Sequence, residues 1–242
     1  MKTGDRSWGS LYMVAGAAAL AALAANVLDI VLGFGDTEIV VNGAKTATDW
    51  FAVYEESWFD GLYRLGILNI VYQLCLVPIF LALFVAHRHT DGTYAALAMV
   101  IGFIGTAIYL SNNAAIPMLT LSAKHAAAAS DAQRAILAAA GEAVLATGED
   151  FTPGSFAGMF LGGIAAIIMS WVMLRSGVFG KFSAWAGIIG FSFLSLFTIW
   201  ATFVPVLYGV AFYFFALIGG LLALTWFVLV ALAFFRLGRA GT

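Results

Sequence analysis

The chain has 242 residues, of which 63% are hydrophobic and 10% charged, and its mean hydropathy is +0.99. Soluble domains carry about a quarter charged residues, so this chain has too few to cover a surface in water and reads as an integral membrane protein. Its net charge of −2 argues against a nucleic-acid partner, because neutralising phosphates takes a surplus of Lys and Arg.

Residues 8–33 follow a short basic start with Lys2 and Arg6. Their apolar run is too long for the core of a signal peptide, so they form the first membrane helix. Residues 34–60 are polar and acidic, with Asp36, Glu38, Asp49, Glu55, Glu56 and Asp60 against Lys45. Trp50, Tyr54 and Trp58 recur there at helical spacing, which predicts an amphipathic segment anchored at the membrane boundary. The sharper reading of the three rings is an aromatic cage. The second span is expected over 61–86, with Pro78 inside it and the basic turn His87-Arg88-His89 after it. The third is expected over 94–116, stopped by Pro117. An alanine-rich stretch then opens with Ser130 and Gln133, a capping-box pattern that predicts a second amphipathic helix. Further spans are expected over 153–174, 182–204 and 207–235. The fold class is therefore all-α, a single polytopic domain of six transmembrane helices. Lys2, Arg6, Arg88, Arg175, Lys181, Arg236 and Arg239 fall at ends sharing one side, which places both termini in the cytoplasm.

The run FDGLYRLGILNIVYQLCLVPIFLALFVAHRHTDGTYAALAMVIGFIGTAI, and later FTPGSFAGMFLGGIAAIIMSWVMLRSGVFGKFSAWAGIIG with its turn at Leu174 to Gly177, resemble helices two to five of a bacterial six-helix membrane family. That family is catalogued as domain of unknown function 4386. The resemblance implies a multi-pass protein of the bacterial plasma membrane and brings no activity with it.

The polar residues inside the spans gather toward one leaflet. Asn26 and Asp29 lie in the outer half of the first helix. Arg64, Asn69 and Gln73 enter the second from outside, and Tyr109, Asn112 and Asn113 close the third. Charges and amides at membrane depth need partners, and an Asp29–Arg64 ion pair is expected. These eight residues are candidate ligand contacts. The bland account is that they are structural glue between helices; the functional one is an outward cavity for a lipid or other small amphiphile, in an accessory or sensory subunit. An intramembrane enzyme acting on a lipid or isoprenoid, with Asp29 or Glu142 as acid–base group, is the alternative, and a secondary transporter a third reading. Glu142, Glu149 and Asp150 could be acid–base groups near the outer rim, although most such carboxylates are simply solvated. Ser170, Ser192 and Ser195 have no base in reach along their helices, so no catalytic residue is assigned. Gly158 with Gly162, and Gly219 with Gly220, suit close helix packing or oligomerisation, as a homo-oligomer or within a membrane complex. The His87–His89 pair is too sparse for a metal site. No nucleotide-binding fingerprint, membrane-buried Lys or intramembrane His is visible, so no cofactor is expected.

Overall fold

The computed structural model describes residues 8–33, 46–204 and 208–241. Among them there is no strand. The helices are α1 (Gly9–Gly33), α2 (Ala47–Glu56), α3 (Trp58–Arg64), α4 (Ile67–His87), α5 (Gly92–Asn112), α6 (Ala115–Ala126), α7 (Asp131–Gly148), α8 (Pro153–Ser176), α9 (Lys181–Phe203), α10 (Tyr208–Ala211) and α11 (Leu217–Gly241). A π-helical turn, Phe212–Ala216, joins the last two. Six stretches are long and apolar enough to cross a membrane: Gly9–Leu32, Ile67–His87, Gly92–Ala126, Asp131–Ser176, Lys181–Phe203 and Gly209–Ala240. Lys2, Arg6, the acidic residues Asp36 and Glu38, Lys45, and the turn at Pro205 lie outside the described residues.

The packing order is circular. α1 packs on α4, α4 on α5, α5 on α8, α8 on α9, α9 on α11, and α11 returns to α1. Each of the long helices thus faces neighbours on two sides and shows a third face outward. That outer face is apolar: Val31, Leu74, Phe182, Phe214 and Leu221 are all more than half exposed. Side chains like these belong against lipid, where no water competes for the backbone groups that each helix satisfies internally.

Small residues let the ring close. A Cβ built on Gly105 would sit 3.0 Å from the backbone of Gly158 and Gly162, and one on Gly219 would sit 2.9 Å from the carbonyl of Gly190. Gly105 with Gly158 therefore brings α5 against α8, and Gly190 with Gly219 brings α9 against α11, within one chain.

The two ends of the ring differ. At one end lie the start of α1, the α4–α5 and α8–α9 turns and the end of α11. The Arg88 guanidinium is 5.3 Å from the Trp8 ring, Arg175 bonds Asp91 at 3.0 Å, and Met13 packs at Gly238. His87, expected in the basic turn after the second span, is fully buried there. It closes α4, its Nδ1 donates to the Leu83 carbonyl at 2.7 Å, and its ring stacks on Phe179. Together with Leu83, Met169, Met173 and Phe234 it belongs to the packed layer that fills the ring at this end.

The opposite end carries a cap of four short helices, α2, α3, α6 and α7, with its own apolar core of Trp50, Phe51, Tyr54, Met118 and Leu145. Thr46 and Asp49 cap α2 reciprocally, and Glu142 of α7 accepts a 2.7 Å hydrogen bond from the Ala47 amide at the same terminus. Tyr54 donates to the Ala115 carbonyl at 2.7 Å, and desolvation pushes its hydroxyl well above the usual tyrosine range. Trp50, Tyr54 and Trp58 do not share a face. Ser57 ends α2 in an extended conformation and caps α3, so Trp50 and Tyr54 turn into the cap while Trp58 is 61% exposed.

Two expected boundaries move. The second span begins at Ile67 rather than at 61, because Gly66 takes a left-handed φ of 89° and breaks the chain between α3 and α4. Pro117 does not stop the third span. The helix ends at Asn112, and Pro117 sits in the first turn of α6, where a missing N–H costs nothing.

Candidate functional site

A partly open cavity of about 230 Å³ lies within the ring near its capped end, and every long helix contributes to the wall. Toward the cap the lining is polar: Asn26 of α1, Asn69 and Gln73 of α4, Tyr109 of α5, and Asp150 from the α7–α8 connection. Toward the packed end it is apolar, with Leu76, Phe80, Phe191, Trp226 and Phe227. Aromatic pairs stiffen that floor; Phe191 meets the Trp226 ring edge-on at 5.3 Å, and Trp226 meets Phe227 at 5.1 Å.

Asp150 is the hub of the polar end. Asn69 Nδ2 donates to its Oδ2 at 3.0 Å and Tyr109 Oη donates to its Oδ1 at 2.7 Å. The local chain conformation aims the carboxylate. Thr152 Oγ1 ties back to the Glu149 carbonyl at 2.7 Å, Phe151 holds a left-handed φ of 62°, and Pro153 opens α8 immediately afterwards. A non-glycine residue in that region is uncommon and costs on the order of 1 kcal/mol, so the surroundings must hold it. The Phe151 ring does so, meeting Phe197 of α9 at 5.0 Å.

Gly66 completes the cradle. A Cβ there would lie 3.3 Å from Asn113 Nδ2, 3.4 Å from Asn69 Nδ2 and 3.5 Å from Tyr109 Oη, so the break before α4 is what lets three polar side chains converge. One turn deeper, Thr106 donates to Gln73 Oε1 at 3.2 Å.

Of the eight residues singled out in the sequence, four line the cavity: Asn26, Asn69, Gln73 and Tyr109. Asn26 also donates to the Ala22 carbonyl of its own helix. Asp29 is half-buried at the same level, and the charge acting on it is that of Asp150. Among the described residues no ion pair joins it to Arg64, which is exposed at the end of α3 and outside the lining. Asn112 and Asn113 serve the chain itself. Asn112 donates to the Gly154 carbonyl at 3.0 Å. Asn113 donates to the Gly66 carbonyl and accepts from the Ala115 amide, strapping the α5–α6 junction to the Gly66 break.

Asp150, which the sequence offers only as a rim carboxylate, and Ser195, a serine with no base along its helix, belong to the cavity wall without being among those eight. Thr106 lies outside the lining and reaches it through Gln73. Ser195 is 7% exposed, its Oγ has no hydrogen-bond partner, and it lines the cavity. Glu142 is engaged by the Ala47 amide and lies outside the lining, so Asp150 is the carboxylate at which cavity chemistry would occur. Among the described residues no group of three or more His, Cys, Asp or Glu could hold a metal ion.

Six membrane-length helices closed into a ring around a cavity with one polar and one apolar end define a multi-pass membrane protein. The chain belongs to the family described as Domain of unknown function (DUF4386), whose model matches residues 8–231. Comparisons with curated proteins and with solved structures found no match.

Proposed function

We propose that this protein binds a small amphiphile inside the helix ring, as an accessory or sensory subunit of the bacterial plasma membrane. The observation that carries the reading is the two-ended cavity. Hydrogen-bonding groups converge at Asp150, and aromatic rings floor the other end. A wholly structural network would have closed on itself with packed side chains, because membrane helices gain their association energy from close contact. Here the amides and hydroxyls surround open space instead.

The volume limits the ligand. Pockets for drug-sized molecules span about 300–1,000 Å³, so a 230 Å³ cavity suits one short chain or a single ring system rather than a diacyl lipid. Orientation follows from charge. Arg88, Arg175 and Lys181 cluster at the uncapped end, and an excess of basic residues favours the cytoplasmic side. The cap and the polar end of the cavity would then face outward, with both termini cytoplasmic.

Native mass spectrometry of the protein released from native-lipid nanodiscs tests the proposal. Retention of a small amphiphile, lost on Gly162→Leu, is the expected result. Loss of every small adduct at the mildest activation, with unchanged spectra for the variant, would overturn it.

A further inference from the structure

The ligand's class can be narrowed, and this step rests on the amphiphile reading above. The Asp150 carboxylate accepts hydrogen bonds from two neutral donors, Asn69 and Tyr109. Among the described residues no Lys, Arg or His lines the cavity, and none forms an ion pair with Asp150. The other acidic group at this level, Asp29, has the same sign. A charge enclosed at membrane depth without a counter-charge costs several kcal/mol, a cost that a paired cation removes. A carboxylate offers about four lone-pair sites, so two accepted bonds leave room for a donor arriving from the cavity.

We infer that the occupant is a cationic amphiphile, with an ammonium head donating to Asp150 and an apolar body over the aromatic floor. An anionic head is disfavoured by the sign of the site. A neutral alcohol could donate to the carboxylate as well, but it would bring no counter-charge to the enclosed site.

The test uses the full chain in nanodiscs of zwitterionic lipid, titrated with decylammonium, decanol and decanoate against empty discs. Decylammonium is expected to bind roughly ten- to a hundredfold tighter than decanol, because only the ammonium supplies a counter-charge, with decanoate weakest. Asp150→Asn should erase that preference. If decanol or decanoate matches decylammonium, the charge inference is overturned while the amphiphile reading stands. Should no probe bind above empty discs, both fall. The ranking on the unmodified chain decides the matter even if Asp150→Asn does not fold.

Discussion

Gly162→Leu separates a ligand cavity from a packing defect, because the two accounts give it different signatures. Gly162 lines the cavity, and a Cβ there meets no atom within 4 Å. A leucine side chain therefore enters free space. Two gains follow in the unliganded protein. Replacing glycine within a helix recovers about 0.8 kcal/mol of propensity. Refilling even a third of the 230 Å³ cavity, at about 24 cal/mol per Å³, adds roughly 2 kcal/mol. For a chain of this size that sum raises the unfolding midpoint by roughly 5–10 °C. The wild-type protein, by contrast, gains about 2.7 kcal/mol from a ligand at a hundred times its Kd, and the filled variant gains nothing. Scanning fluorimetry in nanodiscs, with and without decylammonium, reads both effects. A variant that is less stable than wild type, or that still responds to the ligand, would refute the placement of Gly162 on the cavity wall.

Tyr109→Phe removes one of the two donors to Asp150 and should cost about 1–3 kcal/mol, seen as a lowered midpoint together with weakened decylammonium binding. Gly148→Ala would drive a methyl group into the backbone of Asn112 and Ala114, so a loss of about 1–3 kcal/mol or more is expected from thermal scans. Arg175→Gln breaks the bond to Asp91, but Arg175 is 54% exposed, so the change should stay under about 1 kcal/mol. Tyr54 titrates higher in the fold than its ordinary value, so its contribution is complete below about pH 10 and declines as pH rises above that. Tyr54→Phe should shrink the alkaline drop in midpoint, at the expense of the hydrogen bond to Ala115.

The membrane spans were legible because each is an apolar run of about twenty residues, a length that the bilayer itself dictates. The polar layer was legible too. Asn69 and Gln73, one helical turn apart, both line the cavity as their spacing requires. What sequence could not show was the centre of that layer. Asp150 sits in a polar connection beside Glu149, and only the turn at Phe151 and Pro153 aims it inward. Helical spacing also misled at Trp58, because the extended Ser57 resets the phase of the helix. The expected Asp29–Arg64 pair fails for a related reason. The break at Gly66 separates it from α4, so depth counted along one continuous helix does not apply to it.

The most direct measurement is a cryo-EM map of the protein in native lipid, read inside the helix ring. Continuous density running from the Asp150 carboxylate to the Trp226 and Phe227 rings is the predicted result. Side chains of α4, α8 and α9 collapsed into direct contact across that space, with Asp150 turned away from Asn69 and Tyr109, would contradict it.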